Sequence, residues 1–250
     1  MTDIPVGQSQ TCSSETMRFK KQRNTFTVDN ALETLERGRS HTGWKKHGPL
    51  LPDSIRSIIC GPSNCGKTNL MFKLLTDPEG LKYANVYVFS KSLQQPKYIW
   101  LAKLFDKMPE IGFKTFDNTN DVIQSHLAKP NSIMIFDDVA CDKQEHMKLY
   151  FSMGRHSGID SFYLIQSYTR SPKHLLRDNA NLIVLYRQDD INLKHVYDEH
   201  VNNDMSFLKF KELCSQCWGK DKYAFVVIDK DAPLLSGRYR HGLDTFVTAI

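Results

Sequence analysis

Ile55-Arg56-Ser57-Ile58-Ile59-Cys60-Gly61-Pro62-Ser63-Asn64-Cys65-Gly66-Lys67-Thr68 is a short apolar run that opens into a glycine-bounded loop. A run of this length and makeup predicts a buried strand. The eight residues from Gly61 to Thr68 fit the pattern G-x-x-x-x-G-K-[ST]. Each position has a physical reason. The glycines allow turns closed to other residues, so that successive N–H groups can face an anion. A helix leaving the loop aims its positive end at the same point. Lys67 can reach the β- and γ-phosphates, and Thr68 offers a hydroxyl to Mg²⁺. Leu70 with Leu74 and Met71 with Leu75 share one face of that helix, and Asp77-Pro78 ends it. Gly61, Pro62, Ser63, Asn64, Cys65, Gly66, Lys67, Thr68 and Asn69 are therefore the expected nucleotide-binding set, with ATP and Mg²⁺ as cofactors.

Outward from the loop the pattern alternates. Apolar strand-type runs fall at 55–60, 86–89, 133–136, 162–165, 182–186 and 223–228, with a weaker one at 113–116. Helix-type stretches fall at 67–75, 97–107, 120–128, 144–153, 172–177 and 191–201. Such alternation predicts a parallel sheet covered on both faces.

A second acidic element supports the first. Ser132-Ile133-Met134-Ile135-Phe136 runs straight into Asp137-Asp138. At the carboxyl end of a buried parallel strand, Asp137 is expected to hold Mg²⁺, directly or through water, and Asp138 to act as general base. The run Phe162-Tyr163-Leu164-Ile165 ends in Gln166, placed to meet a γ-phosphate or the attacking water.

Composition limits the alternatives. With 250 residues, 40 % hydrophobic and 24 % charged, the chain is neither disordered nor fibrous. No window of 18 apolar residues predicts a membrane span, and nothing in Met1–Gln10 suggests secretion. The net charge of +5 is too small to argue for nucleic acid by itself. Residues 1–48 carry eight of the basic and five of the acidic residues. This segment is expected to be a basic, partly disordered arm with a short helix near 28–37, followed by one domain over 49–250. Six scattered cysteines predict reduced thiols. His195, His200, Cys214 and Cys217 could suggest zinc, but a single C-x-x-C is weak and ordinary buried cysteines are expected. His156 is read as structural, and the stretch from Phe207 to Lys211 as a packed element with solvated lysines.

The ordered set Gly61–Thr68, Ile135-Phe136-Asp137-Asp138, Gly154-Arg155-His156-Ser157 and Leu164-Ile165-Gln166-Ser167 resembles genome-packaging ATPases of the FtsK/HerA group. The likeness is to those of double-stranded DNA viruses related to poxviruses, in the small forms of virophages and Polinton/Maverick or adintovirus-like elements. It covers roughly residues 49–205. It implies a three-layer α/β P-loop NTPase with a mainly parallel central sheet. An extra strand is expected between the Walker A and Walker B strands, supplied here by the runs near 86 and 113. It further implies a homo-oligomeric ring at a capsid or portal vertex that moves double-stranded DNA without sequence preference. Arg155 matches the position of an arginine acting on a neighbour's γ-phosphate, with Arg170 and Arg177 as competitors. The setting would be intracellular, in a host nucleus or cytoplasmic virus factory, or in the virion, with no membrane partner. Lys91, Lys114 and Lys173, or Arg18, Lys20, Lys21 and Arg23 in the arm, are candidate DNA contacts. A helicase or transposition ATPase remains an alternative, as does a zinc-dependent DNA-binding module. A Glu is commoner than Asp at position 138 in hydrolysing members, which keeps a nucleotide-dependent assembly switch open as well.

Overall fold

The computed structural model describes residues 47–139, 145–219 and 221–249. All of the expected arm except His47 and Gly48, its short helix, Cys12 and Cys141 lie outside them. In chain order the described residues form β1 (Arg56–Cys60), α1 (Lys67–Thr76), β2 (Asn85–Ser90), α2 (Pro96–Phe105), β3 (Gly112–Phe116) and β4 (Ser132–Asp137). Then follow α3 (Glu145–Met153), β5 (Ile159–Ile165), β6 (Leu182–Tyr186), α4 (Asp190–His200), α5 (Phe207–Trp218), β7 (Phe225–Asp229), β8 (Tyr239–His241) and β9 (Thr245–Phe246).

The strands make one sheet in the order β3-β2-β4-β5-β1-β6-β7-β8-β9. From β3 to β6 every pair is parallel. The last three strands join antiparallel. Side chains alternate across each strand and feed two cores. Ile59, Val88, Ile135, Leu164 and Val184 pack with Leu70, Met71 and Leu74 of α1 and Tyr98, Leu101 and Phe105 of α2. Their strand neighbours Ile58, Phe89, Phe136, Tyr163 and Leu185 face the other way. They meet Met147, Tyr150 and Phe151 of α3, Leu193 and Val196 of α4, and Phe210 and Cys214 of α5. The result is the expected three-layer α/β architecture with a mainly parallel sheet.

One detail of that expectation is corrected. The strand between β1 and β4 is β5, which pairs with both. The runs near 86 and 113 are β2 and β3, and they lie outside β4. Sequence order does not fix spatial order, and β5 is inserted after the acidic strand.

Three local expectations also differ. The stretch 120–128 is not a helix but a single 3-10 turn at Thr119–Asp121, with the Asn118 side chain accepting from the Asn120 N–H. The Ile123 carbonyl goes instead to the Tyr150 hydroxyl at 2.8 Å. The tertiary bond takes a carbonyl that a longer helix would need, and Val122 is already extended at φ −63°, ψ 121°. Residues 173–177 form a kinked turn, with Leu175 at φ 66°. The kink turns Arg177 inward, where it pairs with Glu199 at 3.0 Å. Residues 207–218, expected only as a packed element, are the helix α5. Ser206 caps it by accepting from the Lys209 N–H, and Phe210, Cys214, Cys217 and Trp218 make its buried face.

Two buried anchors pin the amino-terminal side of the sheet. His47 Nε2 meets Asp160 Oδ2 at 2.9 Å, and the Asp160 carboxylate also accepts from the Ile55 N–H at 2.5 Å. Arg240 pairs with Asp229 at 2.6 Å, both side chains almost wholly buried.

Candidate active site

The phosphate loop sits where β1 ends, between β5 and β6. In open α/β sheets ligands collect at these carboxyl ends. The loop is shaped for close backbone approach. A Cβ at Gly61 would stand 2.5 Å from Tyr186 Cβ and 2.7 Å from Cys65 Sγ. Gly66 has φ 108° and is the N-cap of α1, and Asn64 takes φ 61°. The α1 amino end has no acidic residue in its first turn and no side-chain cap. Its free N–H groups therefore remain for an external anion. Lys67 Nζ donates to the carbonyls of Gly61 at 2.6 Å and Pro62 at 2.9 Å, so its charge stays within the loop.

The acidic strand arrives beside it. Thr68 Oγ1 donates to Asp137 Oδ2 at 3.3 Å. Asp137 closes β4 and is buried, and it also accepts from the Tyr98 hydroxyl. Burial first, and then the Asp137 charge, push the Tyr98 phenol far above its ordinary range, so it stays a donor. Asp138 follows with φ 59°, exposed, accepting from Ser92 Oγ at 3.3 Å. The left-handed turn after β4 separates the two carboxylates: Asp137 points into the structure and Asp138 into the cleft.

These groups line one cavity of about 790 Å³. The loop from Ser63 to Asn69, Asp137, Asp138 and Gln166 all border it. Of the expected cis residues, Gly61 and Pro62 are not part of this lining and instead hold the Lys67 ammonium through their carbonyls. Thr68 hydroxyl and Asp137 carboxylate are hard oxygen donors of the kind Mg²⁺ takes. An ammonium, that of Lys97, already rests against both, so the donor pair suits a cation.

Arg155 is elsewhere. It lies exposed in the turn Gly154–Ser157, just before β5 starts, at the amino end of the sheet. It is near enough to Arg56 to lower that guanidinium's proton affinity, behind the larger effect of burial. Arg170 lines the cavity itself. Arg177 is buried, with its guanidinium 5.0 Å from the Tyr168 ring centroid. Lys91, after β2, donates to the Asp117 carbonyl at 2.8 Å, Lys114 stands on the edge strand β3, and Lys173 opens the kinked turn. Arg18, Lys20, Lys21 and Arg23 lie outside the described residues.

The zinc constellation does not assemble. Cys214 and Cys217 point into the core of α5, and Tyr168 Oη meets His200 Nε2 at 2.6 Å. Among the described residues no group of three His, Cys, Asp or Glu could hold a metal. Cys60, Cys65, Cys214 and Cys217 are buried, and burial raises the Cys60 thiol to about 12. No helix among the described residues is long and apolar enough to cross a membrane.

Several site residues were not legible from motifs. Lys97, Gln95 and Ser92 come from the segment around the start of α2, and Tyr223 and Lys222 from the approach to β7. Tyr223 Cδ1 lies 3.5 Å from where a Gly66 Cβ would be. Asn192 of α4 accepts at Oδ1 from Ser167 Oγ at 3.0 Å and from the Thr169 N–H at 2.9 Å. It fixes the segment between Gln166 and Arg170. Neither spacing nor residue type marks an asparagine or a lysine for such roles.

No family model matches the chain, and no curated protein matches it. Solved structures do. The genome packaging NTPase B204 from Sulfolobus turreted icosahedral virus 2, in complex with AMP, aligns with a TM-score of 0.52 at 13 % identity over 76 % of this chain and 98 % of that chain. Its complex with AMPPCP gives 0.51 at 13 % identity, covering 72 % and 95 %. Its complex with sulfate gives 0.52 at 14 % identity, covering 72 % and 94 %. The fold of this chain is thus shared with a viral genome-packaging NTPase.

Proposed function

We propose that this chain hydrolyses ATP and uses the energy to move double-stranded DNA into a capsid. The observation that carries the reading is the contact of Thr68 Oγ1 with Asp137 Oδ2 at 3.3 Å, at the mouth of a glycine-shaped phosphate loop. It joins the two motifs in a cavity that Asp138 and Gln166 also line. The packaging role is supported by the fold shared with the genome packaging NTPase B204, whose structures hold AMP and AMPPCP.

In this reading the loop N–H groups and the α1 amino end bind the phosphates. Lys67 turns from the Gly61 and Pro62 carbonyls to the β- and γ-phosphates. Thr68 and Asp137 would hold Mg²⁺, which supplies charge neutralisation at the β- and γ-oxygens. Asp138 accepts a proton from the attacking water, and Gln166 orients that water against the γ-phosphate. Tyr223 offers an aromatic face at the cavity wall for the nucleotide base. Arg155, at the far end of its own sheet, serves a neighbour in a homo-oligomeric ring. DNA is gripped through backbone phosphates by lysines on surface loops or by the basic arm, without base readout. A capsid or portal-vertex protein is the docking partner, and the protein acts in a host nucleus or virus factory, or in the virion.

The test is ATP hydrolysis with and without double-stranded DNA, beside Lys67→Ala and Asp138→Asn. Turnover stimulated by DNA and abolished in both variants is expected. ATP binding without turnover, indifferent to DNA, overturns the motor in favour of an assembly switch. Strand separation of a forked duplex points instead to a helicase. Doping wild type with Arg155→Ala subunits is expected to depress turnover more than in proportion, as a shared site requires.

A further inference from the structure

The amino end of α2 meets the amino end of α1 across the active-site cavity. Gln95 caps α2 without a side-chain hydrogen bond, Pro96 fills its first position, and its first turn carries no acidic residue. Lys97 follows. Its ammonium donates to Thr68 Oγ1 at 3.0 Å and lies 3.7 Å from Asp137 Oδ2. Thr68 in turn donates to the same Asp137 oxygen. Lys97 therefore sits against the two oxygens that a divalent cation would take.

Its neighbour fixes it there. Tyr98 is buried and bonded to Asp137, so the Lys97 backbone cannot drift from the site. The Lys97 side chain itself remains 34 % exposed and lies 5.1 Å from the Tyr98 ring centroid. An ion pair that open is worth little as a structural brace. A flexible ammonium on a fixed helix end, lining the cavity with Lys67, fits a phosphate ligand better.

We infer that Lys97 is a second lysine for the terminal phosphate of the nucleotide. It holds Thr68 and Asp137 while those oxygens have no other cation, and moves to the γ-oxygens when a divalent cation competes for them. This rests on the ATPase reading. Lys97 then distinguishes triphosphate from diphosphate, because the group it takes is the one that the diphosphate lacks.

The experiment is equilibrium binding of fluorescent N-methylanthraniloyl ATP and ADP to wild type, Lys97→Met and Lys97→Gln, with Mg²⁺ and with EDTA. Mn²⁺ binding without nucleotide is followed in parallel by electron paramagnetic resonance. With Mg²⁺ both variants are expected to lose at least about tenfold of the wild-type preference for ATP over ADP, as loss of one charge-assisted contact implies, and with EDTA, where Lys97 stays on Thr68 and Asp137, to keep it. Both are expected to bind Mn²⁺ more tightly, because the competing ammonium is gone. An ATP-to-ADP ratio unchanged with Mg²⁺, or equal weakening of both nucleotides there, overturns the inference. Lys67→Ala is the control for the underlying reading. If wild type binds neither nucleotide, or Lys67→Ala binds as wild type does, the ATPase reading fails and the role of Lys97 fails with it. If Lys67→Ala loses binding while the Lys97 variants keep the wild-type ratio with Mg²⁺, only the role of Lys97 fails.

Discussion

The Gly61 N–H donates to the Ile165 carbonyl at 3.0 Å. This bond extends the β1–β5 ladder one residue past its last pair, Cys60 with Ile165. It ties the first residue of the phosphate loop to the last residue of β5. Gln166 follows directly after that strand, so the bond delivers it to the edge of the loop. The placement depends on β5 lying beside β1.

Gln166→Ala is expected to lower kcat on the order of 10²-fold while leaving nucleotide affinity nearly unchanged. A donor aimed at the reacting phosphate or water matters mainly in the transition state. Steady-state ATPase kinetics with separate binding titrations check this. Loss of affinity equal to the loss of turnover would instead make Gln166 a part of the binding cradle.

Gly61→Ala is expected to weaken nucleotide binding and to lower stability together. Its Cβ would meet Tyr186 Cβ at 2.5 Å, a distance that real packing does not tolerate. Tyr186 is buried on β6, so the loop has to move rather than the ring. Thermal unfolding and nucleotide titration should both shift.

Asn192 positions Gln166 without touching nucleotide. Its Oδ1 takes two hydrogen bonds from the segment that follows Gln166, and Asp189 fixes its own amide from the other side at 2.7 Å. Asn192→Ala is expected to reduce kcat with KM little changed, at a stability cost of about 1–3 kcal/mol. A purely structural role would leave turnover of the folded fraction at the wild-type value.

Acid stability should depend on His200. Burial first, then the charges of Lys230 and Arg177, lower its pKa from the ordinary 6.5 to about 3. The Tyr168 proton goes to Glu199 Oε2 at 2.8 Å, so the imidazole meets Tyr168 through its Nε2–H. Its Nδ1 has no partner among the described residues. The unfolded chain binds a proton below pH 6.5 that the folded one refuses. Stability is therefore full above pH 6.5 and falls as pH drops towards 3, by at most about 1.4 kcal/mol per pH unit. Urea denaturation between pH 7 and 4 should show a shallower decline for His200→Gln than for wild type. Equal slopes would assign the acid limb to other groups.

Much of the site is legible in the sequence because it is local. A strand, a loop with glycines at fixed offsets and a helix dictate one another over fourteen residues, from Ile55 to Thr68. The apolar run into Asp137-Asp138 is equally self-contained. The helix expected at 120–128 fails for the opposite reason. Tyr150, distant in sequence, captures the Ile123 carbonyl, and the backbone is extended from Val122.

The sequence by itself determined the phosphate loop, the acidic strand, the alternation of strands and helices, and hence the layered parallel sheet. Each follows from periodicity or from steric rules that act between near neighbours. Only the tertiary structure decided that β5 separates the two motif strands, that Lys97 reaches Thr68 and Asp137, and that Asn192 anchors the turn after Gln166. Those relations join residues 23 to more than 100 positions apart. They exist because the sheet brings distant strand ends to one edge, and no local preference encodes which ends will meet.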